Sequence, residues 1–217
     1  MTNAFTKGAD KALRMTEMTG AYNGGVMGAC SGLVEGTKIA TAMGFQRIET
    51  IEPGARVVTF DNGLQEVRAV RRDPIWFAEG ACPKAMQPLF VPAGAIGNAQ
   101  DMVLLPHQAV LIESDAAEAA LDDPFVLMQA KDLDGICGIT RITPEAPAYV
   151  VTLEFDNDEV VFAASGAMCI CPSRSDLAGM LNRPEGGREY RTLKSWTDGA
   201  LVDAIRAELD HGLAMAA

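Results

Sequence analysis

From Thr37 onward, apolar and polar positions alternate over short stretches rich in β-branched and aromatic residues, broken by Gly, Pro, Asn and Asp. A period of two suits a half-buried strand, because successive side chains of an extended chain point to opposite faces. The pattern predicts strands at 38–41, 44–49, 56–60, 65–72, 89–92, 102–105, 110–113, 125–129, 140–142, 149–155 and 159–163. Asp61-Asn62-Gly63 and Asp156-Asn157-Asp158 mark hairpin turns, since Asn-Gly supplies the positive φ of a tight turn. One short helix is expected at 114–121, with Ser114 as its N-cap. Near the end, Trp196, Leu201, Val202, Ile205, Leu209 and Leu213 recur at helical spacing after Thr197 and Asp198. That stripe predicts an amphipathic terminal helix, with Gly212 near its end, docked on its own domain or open to a partner protein. Many short strands with so little helix predict an all-β domain.

The flanks differ. Residues 1–31 are polar, then glycine-rich, with weak helical potential around 9–18, and 173–191 is charged and carries Gly and Pro. We therefore divide the chain into a lead-in at 1–31, a β-domain at 32–172 and a linker with terminal helix at 173–217. A formal net charge of −11 argues against nucleic acid, which needs a basic footprint, and against an anionic membrane surface. No run of apolar residues is long enough to span a bilayer, and the N-terminus lacks the apolar core of a secretory signal. A cytoplasmic location is the default expectation, and Met27-Gly28-Ala29-Cys30 resembles a lipoprotein cleavage box only faintly. Five cysteines without a C-x-x-C pair, and two histidines, give no zinc spacing and no disulfide framework, so neither metal nor cofactor is expected. Cys169 and Cys171, two apart in an apolar run, would share one face of a strand as buried thiols.

The motifs narrow the class. Gly36-Thr37-Lys38-Ile39-Ala40-Thr41, then Gly44, Ile48-Glu49, Ile51 and Pro53-Gly54-Ala55-Arg56-Val57-Val58-Thr59-Phe60-Asp61, resemble the opening of bacterial hedgehog/intein (Hint) domains. Val91-Pro92-Ala93-Gly94 and Asp101-Met102-Val103-Leu104-Leu105-Pro106-His107-Gln108-Ala109-Val110-Leu111 resemble the family's middle block, and Glu159-Val160-Val161-Phe162-Ala163 its late strand. The resemblance implies a Hint fold and self-processing chemistry. In that chemistry a first-position Cys or Ser attacks the carbonyl of the preceding peptide bond. A Thr/Ser-x-x-His block polarises that bond and handles its amide proton.

Carried over residue by residue, the first position falls on Gly32, and the Thr/Ser and His positions fall on Leu105 and Gln108. Ala55 stands where an acidic residue is usual, and Asp158 where a histidine often precedes the late Glu. With no His-Asn terminus, splicing is not expected. Two readings stay open. One is a catalytically silent Hint domain acting as an interaction or scaffold module, with the lead-in or the terminal helix as its contact. The other is single-turnover self-cleavage at Ala29–Cys30 by Cys30, two positions early, with His107 as base. Ser31 is a weaker nucleophile candidate. His107, one position out, would face away if it lay on a strand, and His211 fits a solvated helix end. In both readings strands from 37–61 should pack near 101–113 and 149–163. Gly32, Leu105 and Gln108 should meet there, and in the silent reading 21–31 lies across the cleft as an uncleaved strap.

Overall fold

The computed structural model describes residues 31–75, 82–143, 148–173 and 188–216. In chain order its strands are β1 (Leu33–Val34), β2 (Lys38–Thr41), β3 (Gly44–Arg47), β4 (Arg56–Thr59), β5 (Gly63–Glu66), β6 (Ala69–Pro74), β7 (Leu89–Val91) and β8 (Met102–Leu104). They continue as β9 (Ala109–Glu113), β10 (Phe125–Gln129), β11 (Thr140–Arg141), β12 (Tyr149–Glu154), β13 (Glu159–Ala163), β14 (Ala167–Cys171) and β15 (Arg191–Thr192). Two α-helices accompany them, α1 (Asp115–Leu121) and α2 (Gly199–Ala216).

The strands form two sheets. The smaller runs β11-β7-β8-β1-β12-β6, and the larger β15-β10-β9-β14-β13-β2-β4-β5, with β3 paired to β2. Their inner faces share one core in which Leu33, Leu104 and Val151 meet Ile39, Val110, Val126, Val161 and Cys169. Strand alternation sorts β9 cleanly: Val110 and Ile112 enter this core, while Leu111 joins a cluster with Leu127, Val160 and Tyr190. The helix at 115–121 forms as expected, with the Ser114 side chain accepting from Ala117 N–H. Val202 and Ile205 of α2 are buried in the main core, and β15 adds to β10 in parallel.

The all-β fold with a terminal helix is as the pattern predicted, but several local expectations need correction. The strand expected at 65–72 is two strands in different sheets. Val67 is fully buried between them, its N–H bonded to Ala55 C=O and its C=O to Gly54 N–H. The strand expected at 44–49 stops at Arg47 and gives way to a 3₁₀ turn, Ile48–Thr50, that buries Ile48. Asp156-Asn157-Asp158 is not a hairpin turn, because β12 lies in the smaller sheet and β13 in the larger. Asp158 instead accepts from Ser173 N–H at 2.7 Å, tying the crossing to the end of β14. Strand β14 had been expected only as an apolar run. It hydrogen-bonds to β13 and β9, with Cys169 and Cys171 inward on one face.

Candidate functional site

Gly32 precedes β1, whose neighbours are β12 (Leu33 opposite Val151) and β8 (Leu33 opposite Leu104). Directly after β8 the chain turns at Pro106-His107, with Gln108 N–H donating to Leu105 C=O, and Gln108 leads into β9. The turn is held by the 3₁₀ segment Ala130–Leu133: Lys131 N–H donates to Pro106 C=O and Ala130 N–H to Gln108 C=O, both at 2.9 Å. Strand pairing and this clamp bring the Gln108 side chain to Gly32, although the two lie far apart in sequence.

Four hydrogen bonds hold the Gln108 carboxamide. Its Oε1 accepts from Gly32 N–H at 2.9 Å and from Ser31 Oγ at 3.3 Å. Its Nε2 donates to the carbonyls of Ala109 and Ile170, each at 2.9 Å. Rotating the amide by half a turn would set NH₂ against the Gly32 N–H and the oxygen against two carbonyls. The orientation is therefore determined by its partners. Gln108 is only 1% exposed, so these bonds are sheltered from water.

The backbone at Gly32 has φ +110°, a region L-residues rarely adopt. A Cβ placed there would lie 2.9 Å from both Thr152 Oγ1 and Val150 Cγ2. The space beside it, lined by Ser31, Gln108, Thr152, Ile170, Cys171 and Pro172, amounts to about 10 Å³, room for no more than about one water. Leu105 is fully buried behind this point, clustered with Ile75 and Val150. Gly32 and Gln108 are thus in direct contact, and Leu105 packs against the same Val150 that crowds Gly32.

The other candidates lie elsewhere. His107 is half-buried in a turn, not on a strand, so facing the opposite side of a strand does not describe it. It does not line the space beside Gly32. His211 is exposed near the end of α2, 3.1 Å from Ala207 C=O. Cys30 and residues 21–30 of the strap expected at 21–31 fall outside the described residues. Of that segment only Ser31 is described, buried against Gln108. Cys171 lines the site as a thiol, and burial together with the nearby Glu159 carboxylate pushes its pKa up to about 12. Burial raises the Cys169 thiol as well. Neither offers a thiolate near neutral pH. Among the described residues no cluster of His, Cys, Asp or Glu is arranged to hold a metal, and no helix is long and apolar enough to cross a membrane.

Thr152, Ile170 and Pro172 were not anticipated as parts of this site. Thr152 sits in a run of strand-forming residues with nothing to distinguish it, and Ile170 contributes only a backbone carbonyl, which no sequence pattern reveals. Gln108 was found through a position in a motif, and its partners could be found only from the folded chain.

The fold is similar to the solution structure of a bacterial intein-like domain from Clostridium thermocellum, at 15% identity and a TM-score of 0.46, covering 64% of this chain and 98% of that one. It is also similar to the gp41-1 intein, at 11% identity and a TM-score of 0.36, covering 63% and 97%. No curated protein sequence matches the chain. The Hint domain profile matches residues 31–169, well over half of the chain. The chain belongs to the Hint domain family.

Proposed function

We propose that this Hint domain is catalytically silent and serves as an interaction or scaffold module. The crowding at Gly32 carries the reading. Position 32 has no nucleophile, and the 2.9 Å contacts a Cβ would make there leave no room for one without rearranging Thr152 and Val150. Gln108 supports it chemically. Cleaving the Ser31–Gly32 peptide bond requires a proton on the departing nitrogen, which a general acid must deliver. The Gln108 oxygen faces that nitrogen as an acceptor, and a carboxamide does not titrate in the physiological range. It holds the bond's N–H and has no proton to give.

The competing reaction is attack by Cys30 on the Ala29 carbonyl, forming a thioester as the Ala29–Cys30 amide breaks and its nitrogen takes up a proton. Added thiol would then carry off residues 1–29 as a thioester and leave a chain beginning at Cys30. Incubation of the full chain with dithiothreitol, followed by gel and mass analysis, separates the two. The silent reading predicts no fragment from wild type, from Cys30→Ala or from His107→Ala. Thiol-induced release of 1–29 that Cys30→Ala abolishes would overturn it.

A further inference from the structure

Three of the five large apolar side chains most exposed among the described residues lie together at one end of the larger sheet: Met43 at 84%, Phe45 at 53% and Leu64 at 37%. Strand register explains why. Ile39 and Thr41 of β2, with Val57 and Thr59 of β4, point inward, so the alternate residues point out. Phe45 lies opposite Ala40, Thr41 opposite Val57, and Val58 opposite Leu64. The result is one outward row across four strands, Phe45–Ala40–Val58–Leu64, with Met43 at the β2–β3 turn.

Charge borders the row on both sides. Lys38 lies directly opposite Arg47 on the same outward face, and Arg56 lies opposite Glu66. Like charges facing each other across strands are destabilising unless an anion intervenes. The Arg47 side chain is 69% exposed, and its Glu49 partner is distant, at 3.8 Å. Glu66 is engaged by Arg68. A chain of net charge −11 thus carries, around its most exposed apolar row, a surplus of cations.

We propose that the outward face of β2–β5 is a docking surface for a protein segment whose apolar stripe is bordered by carboxylates. This rests on the reading that the domain binds and does not cut, and it names where binding occurs. Apolar side chains of the partner cover Phe45, Leu64 and Met43, while its carboxylates sit over Lys38 and Arg47 and relieve their repulsion. Pairing of this face with the same face of a second copy is disfavoured, because it would bring the same cationic border against itself. The lead-in is disfavoured too: Lys7, Lys11 and Arg14 outnumber Asp10 and Glu17.

The test uses the full chain, ¹⁵N-labelled, titrated with a synthetic helical peptide of about 18 residues with a Leu stripe flanked by Glu, and with the same peptide carrying Lys for Glu. The Glu peptide is expected to shift the amides of Lys38, Phe45, Arg47, Val58 and Leu64, and the Lys peptide is not. Phe45→Ser combined with Leu64→Ser should weaken binding about tenfold or more, as should Lys38→Glu combined with Arg47→Glu. Both pairs are on the surface, so an otherwise unchanged spectrum confirms that the variants fold. The proposal is overturned by no shift on β2–β5, by equal response to both peptides, or by shifts confined to another face. Binding to phosphatidylserine vesicles in place of the peptide, or self-association lost in Phe45→Ser, would overturn it as well. Intact mass of the same sample tests the silent reading separately. An uncut chain that ignores the Glu peptide refutes the surface alone, and a cut chain that binds it leaves the surface standing.

Discussion

Replacing Gln108 removes a buried side chain that hydrogen-bonds the start of the domain to its middle. Gln108→Ala leaves Gly32 N–H and Ile170 C=O without their partner in a nearly dry site. An unsatisfied buried backbone group costs about 1–3 kcal/mol, and water entering the space left by the side chain recovers part of it. A loss of about 2–4 kcal/mol follows, equivalent to a fall of about 4–16 °C in Tm for a domain of this size. Gln108→Glu sharpens the test. Its carboxyl could still accept from Gly32 and Ser31, but it would face the carbonyls of Ala109 and Ile170 and be favoured only when protonated. The folded-state pKa is then raised above the unfolded value of about 4.3. Such a group contributes fully below the unfolded pKa and loses its contribution as pH rises towards the folded one. Thermal unfolding by far-ultraviolet circular dichroism, from about pH 4 to pH 8, should show the deficit of Gln108→Glu against wild type widening with pH, while that of Gln108→Ala stays level. A Gln108→Ala deficit of under about 1 kcal/mol, or a Gln108→Glu deficit that ignores pH, would refute the role given to this amide.

Further outcomes can be checked with the same preparations. Gly32→Ala should lower stability by about 1–3 kcal/mol in chemical denaturation, through the contacts with Thr152 and Val150 and the strained φ; a neutral effect would remove the argument against a nucleophile there. Burial pushes the Glu208 carboxyl up, but hydrogen bonds from Ser114 and from the N–H groups of Asp115 and Ala116 outweigh it and hold the pKa below its ordinary value. Its contribution is therefore present above the unfolded pKa of about 4.3 and lost as pH falls through the folded one, so Glu208→Gln should cost about 1 kcal/mol at pH 7 and much less near pH 3. Cys169 and Cys171 should resist iodoacetamide in the folded chain and react in urea, as mass spectrometry of digests would show; rapid native labelling would contradict their burial.

Much of the fold was legible because its strands bury one face each, and alternation is then forced on the sequence. Where burial interrupts alternation, the reading failed. Val67 and Ile48 are apolar residues within strand-like runs, and each is buried outside the strands that form. Asp156-Asn157-Asp158 has hairpin composition, yet turn chemistry is the same whether the next strand stays in the sheet or crosses to the other. The meeting of Gly32 with Gln108 could be anticipated only through motif position. The carbonyls of Ala109 and Ile170 that orient the amide leave no trace in the sequence, since any residue supplies a carbonyl. The exposed row on β2–β5 was hidden for a related reason: Phe45 and Leu64 have the composition of core residues, and only the register turns them outward.

The central claim is that the peptide backbone at the start of this domain stays intact. Intact mass of the purified full chain, recorded when fresh and again after prolonged incubation at neutral pH, tests it most directly. The account predicts one species at the mass of the full 217-residue chain, unchanged with time. Accumulation of a species beginning at Cys30, or at any residue from Ser31 to Leu33, would contradict it.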